Sequence, residues 1–369
     1  MEWMRRCGEG FGDGAAADME EIIRRGEWAR RKIKDKERDK EKRERGGAGC
    51  AETRRERSEL GLRYSQMKQD IWNELANGKQ IDFSGAPQHG GRLDLRGVVV
   101  SGPRSERTIQ HPAGEYTIVS GLTDLKGGTW KSIDFTGSHL NSLRFNDCAL
   151  EDCRFDDCTC RDWRMWETSF TNCSFRQADM RDSAFGAVSG ERRNVFKDVD
   201  FTEADMRGTM YTSAEFSRCV FRNTRLVKVD FQGSVFTDCV FEGELDEVLF
   251  YDKGFNAKHL QANELLRTDF SRARFRHVEF RRLNLETVRF PEGDEHIRVD
   301  NFPQVIAAIL SNLKGKEDLP SRKLAAVIGH KQKWLGTMQR RGVLSKRDIL
   351  SAGGREGLDM ILGLIEPHK

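Results

Sequence analysis

The sequence predicts a mainly β chain, a solenoid of short extended sides flanked by helical segments, and three observations carry that expectation. Phenylalanine recurs on a spacing of five: Phe135, Phe145, Phe155, Phe170, Phe175 and Phe185 share one phase, Phe196 to Phe241 a second shifted by one residue, and Phe250 to Phe290 return to the first. All 19 phenylalanines between positions 125 and 290 sit on that register, in a chain with 22 Phe and only 4 Tyr. Two positions before the large residue stands a small or β-branched one, as at Cys148, Cys153, Cys158, Cys173, Ala178, Val199, Ala204, Cys219, Val229 and Cys239. Beyond residue 300 the apolar period becomes helical.

A spacing of five drifts off any single face of a helix, whose turn takes about 3.6 residues. An i−2/i alternation is instead two inward side chains of an extended segment around one outward residue, as in Ile133-Asp134-Phe135, Ala178-Asp179-Met180 and Val229-Asp230-Phe231. The remaining pair of each five must turn the chain. Sides of five that always turn in the same sense make a coil, and each coil buries its apolar residues on its neighbours.

These residues resemble the pentapeptide-repeat family, whose unit is A-(D/N)-L-X-X with Phe or Leu at the centre. The resemblance spans Leu125 to Phe290, with outliers at Leu93-Asp94-Leu95-Arg96-Gly97 and Ile81-Asp82-Phe83. It implies a right-handed quadrilateral β-helix with four pentapeptides per coil. Side chains four repeats apart then stack as Phe135/Phe155/Phe175, Phe201/Phe221/Phe241, Phe196/Phe216/Phe236 and Phe250/Phe270/Phe290. The 32 centres on register make about eight coils, roughly 38 Å long at ~4.8 Å per strand. The resemblance also implies a non-catalytic protein-binding rod, since some members bind DNA gyrase or related type II topoisomerases as DNA mimics.

In chain order, residues 1–57 form a charged arm, disordered or a single helix. Between Arg24 and Arg45, basic side chains outnumber acidic ones two to one. Residues 58–124 are a helix plus an irregular N-terminal cap. Ser58–Ala76 places Leu60, Tyr64, Met67, Ile71, Trp72 and Leu75 on one side, suited to covering the exposed strand edge of the first coil. Residues 125–290 are the β-helix. Residues 291–369 are a helical module with helices expected over Pro303–Leu313, Ser321–Gln339 and Ser345–Ile365; it buries its apolar faces on the rod end, on a second copy of the chain, or on a partner. Two irregularities interrupt the coil. Phe185 to Phe196 is eleven residues, either a one-residue bulge or a six-residue loop, and Phe241 to Phe250 is nine. Trp163, where a small residue normally sits, marks a widened coil.

No catalytic constellation emerges, and the chain reads as a non-enzyme. Cys148, Cys153 and Cys158 occupy i−2 positions and Cys160 a centre, so they are buried thiols, not a zinc cluster, whose ligands must converge on one ion. No cofactor is expected. The glycines of Gly8–Gly14 follow no strand and open no helix. No apolar run approaches the ~20 residues of a membrane span. Nine cysteines without a secretory signal suggest reduced thiols and a cytoplasmic setting. The chain nets +3, but residues 123–247 hold 23 acidic and 16 basic residues, whereas 248–290 hold 5 and 9. The candidate binding residues are Ser189, Glu191, Arg192 and Arg193 in the first irregularity, and Arg272, Arg274, Arg276, Arg281 and Arg282 in a collar around the last coils. Two partner classes stand side by side. One is a protein such as a topoisomerase, gripped by the acidic coils. The other is nucleic acid or a larger complex, recruited through the basic arm, the collar or the C-terminal module.

Overall fold

The computed structural model describes residues 51–76, 85–100, 105–111, 114–120, 123–186, 192–253, 265–336 and 339–365, with side chains outside 51–60 and 105–123. The chain divides into two compact units, residues 1–64 and 65–369. A helix, α1 (Ala51–Ala76), crosses from one to the other; residues 1–50 and Ile81–Phe83 lie outside the described residues.

The second unit is a right-handed quadrilateral β-helix followed by a helical module. Short strands pair in parallel with the next coil, and their partners set four stacked columns. One runs Phe135, Phe155, Phe175, Phe201, Phe221, Phe241, Phe270, with ring centroids 4.4–5.6 Å apart. The next runs Trp130, Leu150, Phe170, Phe196, Phe216, Phe236, Leu265 in a seven-stranded sheet. A third holds Leu125, Phe145, Met165 and Phe185, then Tyr211, Phe231, Phe250 and Phe280. The fourth holds Leu140, Cys160, Met180, Met206, Leu226, Leu245 and Phe275. All are buried except Phe280, which is partly covered.

The pair of residues after each centre makes the corner. Among the described residues the second of the pair adopts a left-handed backbone in 21 non-glycine cases, among them Asp147, Asp152, Asp157, Asp162, Asp198 and Asp238. Asp and Asn tolerate that conformation best among side chains. Where the corner closes tightly, the next i−2 amide donates back to the central carbonyl, as Cys158 to Phe155 at 3.3 Å and Ala178 to Phe175 at 3.2 Å. This is the left-handed third residue that a type II turn requires. The i−2 side chain adds a rung-to-rung bond. Cys158 Sγ donates to the Phe135 carbonyl at 2.9 Å, Cys219 to Phe196 at 3.2 Å, and Thr224 to Phe201 at 2.7 Å. Position i−2 therefore suits a small side chain with one donor, which explains its cysteines, serines and threonines.

Each irregularity resolves into a corner event. Phe170 pairs with Phe196, six positions beyond the regular four-repeat step, so six residues are added between Phe185 and Phe196 and the one-residue bulge is excluded. Gly186 leaves the coil against the Thr212 backbone, where a Cβ would lie 2.1 Å from a carbonyl oxygen. Leu226 pairs with Leu245, one position short of that step; Gly243, at φ 97°, takes the shortened corner. The expected column Phe250/Phe270/Phe290 holds only in its second step, where Asp269 bridges Arg289 and sets Phe290 above Phe270; Phe250 is misplaced in it. Phe250 stacks on Phe280 at 5.3 Å, and Phe241 on Phe270 at 4.8 Å, because ten residues are added between Tyr251 and Leu265. An addition of ten preserves a period of five, so the sequence register hid it. The expected centres Phe255 and Leu260 lie in that stretch, outside the described residues.

Coil pairing also begins before Leu125. Leu93 pairs with Ile133, and Val99 bridges His139, each at twice the regular step, because an antiparallel hairpin (Ser105–His111 with Gly114–Ser120) is inserted in the first coil. Trp163 does not widen the coil, since Arg164 still pairs with Arg144 at the regular step. Its indole donates to the Leu140 carbonyl, directly below Cys160, so a large i−2 ring is balanced by a small centre.

Both ends are closed. Trp72 and Leu75 of α1 are buried, and the Trp72 ring lies 5.7 Å from Trp130 and 6.1 Å from Phe135. Lys68 of the same helix donates to Asp94 at 2.8 Å. At the other end α2 (Phe302–Leu313), α3 (Leu319–Lys333) and α4 (Lys346–Ile365) pack around a separate core that includes Val305, Ile306, Ile309, Leu324, Ile328 and Ile361. Asp318 caps α3 by accepting from the Ser321 amide at 2.8 Å. That helix stops at Lys333, short of the expected Gln339, because the Trp334 carbonyl turns away to accept from the Arg282 amide at 2.8 Å. An unexpected strand pair, His296–Val299 with Gly342–Ser345, completes the module.

Candidate interaction surface

With the interior filled by columns of side chains, chemistry is confined to the outward positions. Equivalent outward residues recur one rung apart, about 4.8 Å, and form ladders of alternating sign. Arg218 binds Asp198 at 2.6 Å, Arg267 binds Asp238 at 2.6 Å, Arg176 binds Asp200 at 2.8 Å, and Arg222 binds Glu242 at 2.7 Å. Asp179 is gripped by both Arg161 and Arg181, and Asp205 by Arg207. The hydrogen bond from Arg218 holds the Asp198 carboxyl below its ordinary range, and Arg267 does the same for Asp238. The acidic excess of 123–247 is thus laced with arginines.

The candidate loop residues divide. Ser189 and Glu191 lie outside the described residues. Arg192 is exposed and bridges Asp147 at 2.7 Å and Glu167 at 2.8 Å, bonds that raise its guanidinium pKa. Arg193 is half-buried and donates to the Gly233 carbonyl at 2.6 Å, so it staples the corner; burial lowers its pKa.

The collar divides as well. Arg272 and Arg276 reach carboxylates of the preceding rung, Glu242 at 3.7 Å and Asp246 at 3.3 Å. Arg274 is exposed and makes no ion pair among the described residues. Arg281 binds Glu279 at 2.6 Å and lies 4.7 Å from the Trp334 ring, with Arg282 5.6 Å from the same ring. Arg281 and Arg282 therefore help seat the C-terminal module. Arg192, Arg193 and Arg282 share one edge of the rod, the corner built by Asp147, Glu167, Gly233 and Asp252, but on different rungs. Sequence reasoning missed Trp334, His330 and Lys331; their only signal was an aromatic among basic residues at the end of a predicted helix.

The thiols are structural. Cys148, Cys153, Cys158, Cys160, Cys173, Cys219 and Cys239 are free and buried, and burial pushes those of Cys153, Cys160 and Cys219 well above the ordinary range. Among the described residues no group of three or more His, Cys, Asp or Glu is placed to hold a metal ion. No helix there is long and apolar enough to cross a membrane.

The family model for pentapeptide repeats matches residues 212–243, with 8 copies. No curated protein matches the chain. Among solved structures, trypsin-treated QnrB1, a plasmid-mediated fluoroquinolone resistance protein, is 16% identical over 46% of this chain and 83% of its own, with a TM-score of 0.27. HetL of the cyanobacterium Nostoc sp. strain PCC 7120, a pentapeptide repeat protein involved in heterocyst differentiation regulation, is 16% identical over 46% and 83%, TM-score 0.20. Rfr23, a pentapeptide repeat protein of the cyanobacterium Cyanothece 51142, is 15% identical over 40% and 88%, TM-score 0.20. The matched segment lies in the middle of a solenoid whose large centres, small inward partners and left-handed corners follow one rule from Leu125 to Phe250, and the unit of that rule is the pentapeptide repeat.

Proposed function

We propose that the protein is a non-catalytic interaction rod whose outward charge ladder docks a protein partner. The supporting observation is the filled and doubly closed coil. Inward positions are occupied by packed apolar side chains, helices cover both terminal edges, and the variable chemistry is presented outward at a fixed spacing on a rigid frame. Mixed charge on such a frame selects a partner by electrostatic complementarity. The test is capture from host lysate by the full chain, against a variant with Arg192→Glu and Arg274→Glu. A specific partner lost on charge reversal supports the proposal; identical capture by both refutes the role of the ladder.

A finer form takes a type II topoisomerase as the partner, held by duplex mimicry. The acidic excess supports it: 23 acidic against 16 basic residues over 123–247, a net of −7. A duplex carries one charge per about 1.7 Å, so a stretch of about 29 Å would present about 17. The arginines within the ladder are already counted in that net, so shape and the added corner residues must supply recognition. A gyrase supercoiling assay with and without a poison decides it; no inhibition and no protection at micromolar protein rejects this form. The adaptor form, with nucleic acid or a larger complex recruited through residues 24–45 or the C-terminal module, draws support from the module's separate core.

A further inference from the structure

The last rung and the C-terminal module border a partly open cavity of about 30 Å³, lined among others by Glu279, Arg281, His330, Lys331, Trp334 and Gln339. That is roughly twice the 10–15 Å³ a single water needs. Two lining donors have no acceptor. Trp334 Nε1 is buried without a partner, and the Lys331 ammonium makes no hydrogen bond or ion pair with a described residue; burial pulls its pKa down against the attraction of Asp348 and Glu279. The nearby carboxylates are already engaged. Glu279 accepts from Arg281 at 2.6 Å and lies 3.2 Å from His330, and Asp348 accepts the His277 amide at 3.2 Å. Gln339 donates to the Arg341 carbonyl at 3.2 Å. A buried donor such as Trp334 Nε1 is normally paired, whereas the Lys331 side chain is partly exposed. Two cations, Arg281 and Lys331, face one lining carboxylate, and Arg282 and Lys333 lie 5.6 and 5.4 Å from the Trp334 ring.

We propose that this cavity binds a small inorganic oxyanion, of the phosphate class, through Lys331 Nζ and Trp334 Nε1, with Arg281 supplying further positive charge. The occupant would bridge α3 to the end of the coil and so tie the C-terminal module to the rod. This goes beyond the partner-binding role and does not depend on it.

The experiment is calorimetric titration of the full chain with inorganic phosphate at constant ionic strength, paired with thermal melts. One site is expected, with a melting temperature that rises with phosphate. Lys331→Met and Trp334→Phe should each weaken binding by about tenfold or more, the size of a lost hydrogen bond to a charged group. Lys331→Met should melt no lower than wild type without phosphate, because it removes an unpaired cation, so loss of binding there is not loss of fold. Arg274→Ser should bind as wild type. The proposal is overturned if millimolar phosphate gives neither heat nor a melting shift, if chloride gives the same shift, or if Lys331→Met binds as tightly as wild type.

Discussion

Replacing Phe221 by alanine tests the column packing most directly. Its ring stacks on Phe201 at 5.0 Å and Phe241 at 4.4 Å, with interplanar angles of 14° and 3°. It also meets Phe216 edge-on at 5.7 Å. A buried Phe→Ala change costs roughly 3–5 kcal/mol through lost transfer energy and the cavity left behind. Ring pairs add about 0.5–1.5 kcal/mol each beyond burial, and this ring has two stacked partners. The expected loss is therefore about 4–8 kcal/mol. Phe290, on the last rung, is also buried but meets no other aromatic ring among the described residues and has Arg341 5.4 Å from its ring. Phe290→Ala should cost about 3 kcal/mol, at the low end of the range. Equilibrium urea unfolding followed by far-ultraviolet circular dichroism, with the m-value checked for two-state behaviour, measures both. A loss below about 1 kcal/mol at Phe221, or equal losses at the two sites, would refute the stacked-column account.

The remaining predictions concern thiols, pH and the collar. Cys153, Cys158 and Cys173 should resist a thiol reagent in the native protein and react at once on unfolding, because their sulfurs are buried and bonded to carbonyls; fast native-state labelling at these positions would contradict the register. His296 accepts the Phe275 amide at 2.9 Å, and burial lowers its pKa below the ordinary 6.5. The unfolded chain therefore binds the proton more tightly, so this stability is fully present above about pH 6.5 and is lost as pH falls toward the folded value. His296→Gln, which keeps an acceptor without titrating, should flatten that part of the stability–pH curve, and an unchanged slope counts against the assignment. Arg274→Ser should change stability by less than about 0.5 kcal/mol, while Arg281→Ser should cost about 1 kcal/mol through the contact with Trp334; equal effects in urea melts would show that the collar does not divide as described.

What the sequence determined alone was the local rule. The alternation Ile133-Asp134-Phe135 and its repeats dictate one inward pair and one outward residue per side, because side chains of an extended segment alternate faces. The register of Phe and Leu then names the core without any knowledge of neighbours. The cysteines at i−2 were legible as core for the same reason, and so were Trp72 and Leu75 of the first helix, whereas Tyr64 and Met67, expected on the same side, are exposed. What lies on top of what was not legible. A corner that gains ten residues after Tyr251, or twenty after Val100, leaves the five-residue period intact, so only strand pairing shows that Phe250 stacks on Phe280 and Leu93 sits beneath Ile133. The collar shows the same limit. Arg274 and Arg281 are both outward by the repeat rule, yet one is exposed and the other lies against Trp334. That difference depends on where α3 ends and on which rung its last turn lands, which is a contact between segments distant in the chain. Periodicity is written in the chain because it comes from backbone geometry. Pairing partners and charge neighbourhoods come from closing long loops, and only the tertiary structure decides them.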